Sequence, residues 1–472
     1  MRILKSKNGS GNGNGNGNGH GNGAPTVLEG RKVWMPRLTE ASARAMAAVF
    51  RSFGLDADVT PPSDERTREL GARHTCGDEC YPTKVTLGDF LKVLQAPGAD
   101  PDKIAFFMAS GQGPCRFGQY VPYMRAVLDS LGYPGVPVLA PTFEGGYADF
   151  GDSLSAFVRS AWRAVVAGDI VLKLLLKTRP YETEAGSADA AHEASIGDLC
   201  QVLETRYRDQ EAQLAALGHW LLRTRTRFRS VPIRQDDDRP LIGVVGEIFC
   251  RLNAFSNDDL VRRLEAAGAA VWMNDVSEWI WYTNDEQARI LRREGKRFST
   301  QMFSARIRAH YQKKDEQALL AAVREDLHGY EEPEIGEVLA NAEPYLPAAG
   351  ASGEMVLNVG KAVYFARKGL DGVIDISPFT CMNGIICEAI YPRVSQDNSG
   401  IPIRNFYFDG TQSDLERDIG IFLELAGNYR RRKPWKWAQG LFAGRRPSEA
   451  ERKASELDRE RVCVVNRFRT EQ

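Results

Sequence analysis

Short apolar runs alternate with amphipathic stretches along most of this chain, and that alternation sets the expected elements. Arg31 to Leu38 reads as a short strand, and Thr39 to Phe53 as a helix with Thr39 as its cap and Gly54 as its stop. Asp56 to Thr60 is the next expected strand. Pro82 suits the first turn of a helix running from Thr83 to Leu94. Ile104 to Ala109 is expected as a strand, Phe117 to Leu131 as a helix and Val136 to Ala140 as a further strand. From Asp152 to Arg229 the pattern is helical almost throughout, with Ala156 to Lys177 followed by a charged amphipathic stretch from Ile196 to Arg227. Gln235 to Pro240 then reads as a linker.

The strand and helix alternation resumes with Leu241 to Phe249, with Cys250 in the following turn and Asn257 capping a helix through Ala267. Ala270 to Met273 is expected as a strand, and Ser277 opens a long helical region reaching Tyr330. Gly372 to Ile376 and Ile403 to Phe408 complete the strands, with helices between and after them. Short apolar strands alternating with helices predict the α/β class, with parallel sheets covered on both faces. A chain of 472 residues is too long for one ordinary core, so two lobes are expected, over residues 31–235 and 236–429. Residues 1–30, dominated by alternating Gly and Asn with His20 interposed, are expected to be a disordered tail, and 430–472 a basic, polar one.

A formal charge of −1 gives no global argument for a nucleic-acid partner. The basic run Arg223 to Arg229 reads as a solvated helix face. No stretch is apolar enough to span a membrane, since Asp169 to Lys177 is short and contains Lys173. Eight cysteines without a secretory signal predict reduced thiols in the cytoplasm.

Three of those cysteines share a local setting. Cys115 follows the strand ending near Ala109 and a turn forced by Gly111, Gly113 and Pro114, where a helix is due to begin. Cys381 follows an apolar run and a Pro378 turn, and Cys80 precedes Pro82. Open α/β sheets form their ligand crevices at strand carboxyl ends, and helix N-termini favour thiolates and bound anions. Other readings fit less well. Gly111-Gln-Gly113 begins a dinucleotide fingerprint but has Arg116 where the third glycine belongs, and no phosphate loop ending in Gly-Lys-Ser/Thr occurs. Cys76 and Cys80 lack a second pair to complete a local zinc site, and no serine-hydrolase elbow is present. His74 as a base for a catalytic Cys115 has no adjacency in the sequence. An iron–sulfur cluster held by thiolates from separate loops fits better.

Several separated blocks carry a resemblance: Glu79-Cys80-Tyr-Pro with Thr86-Leu-Gly-Asp-Phe90, Gly113-Pro-Cys-Arg-Phe-Gly-Gln-Tyr120, Val245-Gly-Glu-Ile248, Ser277-Glu-Trp-Ile-Trp-Tyr-Thr-Asn284, Pro378-Phe-Thr-Cys-Met382 and Phe406-Tyr-Phe-Asp-Gly410. Over residues 31 to 427 the chain resembles the dehydratase component of 2-hydroxyacyl-CoA dehydratases, in the branch related to the acyl-CoA dehydratase activase. The resemblance implies two Rossmann-like lobes with helical insertions and a 4Fe-4S cluster between them. It makes Cys80, Cys115 and Cys381 the ligands, with one iron left for a non-cysteine ligand or substrate. It also implies a separate ATP-driven activator that reduces the cluster, an acyl-CoA substrate and a homo- or heterodimer. In this branch the activator is often fused ahead, whereas here only the Gly/Asn tract precedes Arg31, so the ATPase is expected in trans. Arg116 and Glu247 are candidate crevice residues, with a surface ion pair or a helix cap as the plain alternative. Cys76 or Cys250 as a fourth ligand would close the cluster and favour a non-catalytic electron carrier or partner of another reductase. Cys200, Cys387 and Cys463 are expected to be structural or incidental, and a metal-free binding protein is a third reading.

Overall fold

The computed structural model describes residues 28–111, 113–140, 154–234, 239–351, 353–411 and 414–433. The first lobe runs β1 (Lys32–Met35), α1 (Glu40–Ser52), β2 (Ala57–Val59), α2 (Glu65–Arg73), α3 (Tyr81–Leu94), β3 (Ile104–Phe107), α4 (Tyr120–Ser130) and β4 (Val138–Leu139). Three helices follow, α5 (Leu154–Thr178), α6 (Ser187–Glu204) and α7 (Gln210–Arg229). The second lobe begins β5 (Leu241–Gly246), α8 (Ile248–Leu252), α9 (Leu260–Ala266), β6 (Ala270–Met273), α10 (Val276–Arg293), α11 (Thr300–Val323) and α12 (Ile335–Ala342). It ends α13 (Met355–Lys368), β7 (Gly372–Pro378), α14 (Met382–Asp397), β8 (Ile403–Phe408) and α15 (Leu415–Arg432).

The strands form two four-stranded parallel sheets, ordered β2-β1-β3-β4 and β6-β5-β7-β8. Both sheets thus follow one plan. The order reverses between β1 and β3 in one and between β5 and β7 in the other, where the loops leaving adjacent strands diverge and open a crevice.

Alternate residues of the first sheet feed two cores. Val33, Met35, Ala57 and Ala105 pack under α1 and the helices α5 to α7, while Ile104, Phe106 and Val138 pack under α3 and α4. Phe90 of α3 stacks on Phe106 with ring centroids 4.1 Å apart. The lobes are not divided cleanly at the expected linker. Helix α11, which follows β6, adds Leu319 and Val323 to the first sheet's helical layer, and Tyr81 and Val85 of α3 join the second sheet's core.

Thr39 caps α1, accepting from the Ser42 amide at 2.9 Å, as the sequence predicts. The stretch from Ile196 to Arg227 is two helices, because Asp209 caps a new start at α7. Cys250 lies inside α8 and not in a turn. Asp259 is the residue that enters α9, but the Asn257 side chain accepts from the amide of Leu260, the first residue of that helix, at 3.2 Å, while donating to the Cys250 and Arg251 carbonyls.

The expected N-terminal tail lies outside the described residues up to 27, and Leu28 already belongs to the first core. Helix α15 runs past the expected start of the C-terminal tail, and Lys433 donates to the buried Asp371 at 2.6 Å; residues 434–472 lie outside the description. Among the described residues no helix is long and apolar enough to cross a membrane.

Candidate functional site

Each of the three cysteines singled out in the sequence occupies the residue that enters a helix. Cys80 enters α3 with φ −69° and ψ 153°, and Cys381 enters α14 with φ −67° and ψ 123°. Cys115, with φ −69° and ψ 133°, enters the 3-10 turn Arg116–Gln119 that continues into α4. None of the three sulfurs makes the short capping bond that Thr39 makes. The amides of Phe117 and Gly384 nevertheless lie close enough to ease ionisation of Cys115 and Cys381. Turn chemistry explains these placements. Pro82 favours the start of α3, Gly113 takes φ +109° before Cys115, and the loop from β7 reverses through Thr380 at φ +63°.

One guanidinium ties the three turns together. Arg116, next to Cys115, donates to the carbonyl of Asp78, two residues before Cys80. It also donates to the carbonyl of Thr380 at 2.7 Å and to its Oγ1 at 3.1 Å, directly before Cys381. A rigid planar fork suits such a three-way tie better than an ammonium would. Cys80 Sγ shares a 2.5 Å hydrogen bond with Tyr120 Oη at the start of α4, and lies 3.5 Å from Thr83 Oγ1. Cys80 and Cys381 are buried, and Cys115 is partly exposed.

Two carboxylates complete the crevice. Glu247 directly follows β5, where its amide donates to Ile376 O at 2.9 Å. Its carboxylate caps α8 through the amides of Phe249 at 3.1 Å and Cys250 at 2.8 Å. Glu354 stands at the start of α13 and accepts from the Ile248 amide at 3.2 Å. Burial pushes the Cys115 thiol up to about 11, with Glu354, Glu247 and Cys80 adding to the shift. Burial likewise pushes Cys381 up to about 12, again with Glu247 and Glu354 contributing. Cys80 is raised for the same first reason, and both carboxyls are raised by their own burial, against which the Arg251 guanidinium acts. The crevice therefore gathers several groups that lose their protons only at a cost.

The structure thus brings Cys80, Cys115, Cys381, Arg116 and Glu247 to one place. Glu247 is both a helix cap and a crevice residue, and Arg116 is a tie rather than an ion pair. Sequence reasoning missed Glu354 and Tyr120. An acid preceding the apolar run from Met355 signals a helix start, but nothing local says that this start faces Cys381.

The remaining cysteines are elsewhere or otherwise engaged. Cys250 is fully buried and donates to Ser256 O at 3.6 Å, and Cys387 does the same to Met355 O at 3.6 Å. Cys76 is exposed, and Cys200 lies in α6 beside Arg44 and Arg51. Cys463 lies outside the described residues. No hydrogen bond joins the His74 ring to Cys115 among the described residues; the His74 carbonyl accepts from Tyr123 Oη at 2.5 Å. In the basic run, Arg225, Arg227 and Arg229 are engaged by Glu325, Asp198 and Asp326 within the chain.

Among the described residues no three His, Cys, Asp or Glu side chains surround a point that could hold a single metal ion. A cubane cluster asks for something different, since each thiolate binds a separate iron at a separate corner. Three thiols on separate helix starts, with the Phe117 and Gly384 amides beside Cys115 and Cys381, are a donor set of that kind. One buried polar atom beside it, Asn383 Oδ1, two residues beyond Cys381, has no hydrogen-bond partner. The chain matches no protein-family model, and no curated protein matches it.

Proposed function

We propose that Cys80, Cys115 and Cys381 hold a 4Fe-4S cluster in the crevice between two Rossmann-like lobes. The chain would then act as an iron–sulfur component resembling that of the 2-hydroxyacyl-CoA dehydratases. Bound there, the cluster supplies single low-potential electrons, received from an ATP-driven activator on another chain and used on a thioester or related small substrate. The observation that carries this reading is the Arg116 guanidinium, which fixes the turns of all three cysteines at once.

The chain's own residues have defined parts in this scheme. Arg116 sets the spacing of the turns, and Tyr120 orients the Cys80 sulfur. The raised thiols give up their protons on binding iron, so cluster assembly releases protons to solvent. Burial around Cys80 and Cys381 keeps bulk water from the sulfurs.

Anaerobic purification with iron and acid-labile sulfide analysis tests the proposal. Matched iron and sulfide supports it, and a colourless protein that takes up no iron on reconstitution refutes it. Adding a reduced activator and a panel of 2-hydroxyacyl-CoA thioesters then separates the roles. Turnover identifies an enzyme component, while electron uptake without turnover identifies an electron carrier.

A further inference from the structure

The repeated plan of the two lobes assigns a role to a residue that no sequence signal marks. In the first lobe α3 precedes β3, and the turn leaving β3 carries Cys115. In the second lobe α13 precedes β7, and the turn leaving β7 carries Cys381. Because the strand orders correspond, the residue entering α3 matches the residue entering α13. The first is Cys80 and the second is Glu354. The crevice therefore has two pairs of equivalent positions, three filled by thiols and one by a carboxylate. The match is positional: Glu354 is already helical at φ −66° and ψ −18°, whereas Cys80 is extended.

Independent contacts hold Glu354 at the crevice. Gly353, at φ +150°, presses against Asn383, two residues beyond Cys381, so closely that a Cβ there would lie 2.6 Å from Asn383 Oδ1. That backbone conformation favours glycine, and a larger residue would also displace the Asn383 amide. The Gly353 amide is fixed by Tyr282 Oη at 3.2 Å. Asn383, beside the start of α14, is 2% exposed and its Oδ1 has no hydrogen-bond partner. Glu247 spends both carboxylate oxygens on amides of α8. Glu354 spends only Oε1, on the Ile248 amide, and its other oxygen has no hydrogen-bond partner among the described residues.

We infer that Glu354 is the non-thiolate ligand to the fourth iron of the cluster. This rests on the cluster reading of Cys80, Cys115 and Cys381. A carboxylate is a harder donor than a thiolate and suits iron–sulfur sites less well, so the fourth iron is the one the chain releases most readily.

The test compares wild type, Glu354→Gln, Glu354→Cys and Glu247→Gln, each reconstituted anaerobically and then mildly oxidised. Iron per chain and the EPR signal of a three-iron cluster are followed with time. The Gln variant retains an acceptor for the Ile248 amide, and circular dichroism checks that each variant is folded. Glu354→Gln is expected to lose one iron and develop the three-iron signal at least roughly tenfold faster than wild type. Glu354→Cys is expected to lose it more slowly than wild type. Equal rates in wild type and Glu354→Gln overturn the assignment, as does acceleration in Glu247→Gln alone. A wild type that binds no iron at all overturns the cluster reading itself, which separates the two failures.

Discussion

Two regions of this molecule bury ionisable groups in quantity, and they do so in opposite ways. Behind β6, Lys173 of α5 pairs with Asp275 at 2.8 Å and with Glu332 at 2.7 Å, while Lys361 of α13 pairs with Glu278 at 2.8 Å and also with Glu332. The Trp272 indole donates to Glu332 at 3.0 Å, and the amides of Val276 and Ser277 satisfy Asp169. Burial alone would push the Glu332 carboxyl up, but the two lysines hold it down at about 2. In the crevice, thiols and carboxyls meet without such partners. Arg116 is committed to carbonyls and a hydroxyl, and Arg251, the cation nearest Glu247 and Glu354, donates to the Asn274 carbonyl. In the first region both lysines are directly paired, although burial still raises Asp275, Glu278 and Asp169. Its ion pairs join α5 to the start of α10 and the segment after α11. In the second region, Arg116 and Arg251 lie nearby but spend their hydrogen bonds on carbonyls and a hydroxyl, so burial raises its thiols and carboxyls with no direct ion pair to offset it among the described residues.

Breaking the paired region should cost the most. Lys361→Ala leaves Glu278 and Glu332 buried with one cation fewer, and we expect a loss of about 3–5 kcal/mol in urea denaturation. A loss under about 1 kcal/mol would erase the contrast. Arg116→Ala should cost less, about 1–2 kcal/mol, because the group is partly solvated and its bonds run to neutral acceptors. Its larger consequence is weakened iron retention, which Arg116→Lys should not restore, since an ammonium cannot span the three turns.

The next effect concerns protons. Because Cys115 is raised to about 11, its thiolate fraction at pH 8 is small and grows with pH. Alkylation of Cys115 in the iron-free protein, followed by peptide mass spectrometry, should therefore quicken about tenfold per pH unit until about pH 11. A rate already flat at pH 8 would mean that the thiol is not raised. Smallest should be the effect of Cys115→Ala on the iron-free fold, under about 1 kcal/mol, because a partly exposed sulfur leaves little cavity.

The sequence made some of this legible and hid the rest for physical reasons. Strands β6 and β8 were readable to the residue because their apolar runs are bounded by turn formers, and Thr39 announced α1 through its capping hydroxyl. Helix α2 escaped notice, since it is mostly polar and packs through glycines instead of an apolar stripe. A Cβ on Gly71 would lie 2.0 Å from the Lys84 carbonyl of α3, and one on Gly88 would lie 2.0 Å from that of Thr67. At the crevice, Cys115 and Cys381 were readable from the Gly and Pro turns before them, Cys80 from Pro82 two residues after it, and Arg116 from its adjacency to Cys115. The partner of Glu354 is the Ile248 amide, and it is the neighbouring Gly353 that meets Asn383 in the first turn of α14, contacts that only the folded chain creates. The ionic region was hidden likewise, because its lysines and acids come from α5, α10, α13 and the segment after α11.

The most direct test of the central claim is a Mössbauer spectrum of the anaerobic protein reconstituted with isotope-enriched iron. Wild type and Cys200→Ala should both show the absorption of a cubane cluster, while Cys80→Ala, Cys115→Ala and Cys381→Ala should each lose it. A spectrum without cluster iron in wild type, or one unchanged in those three variants, would contradict the account.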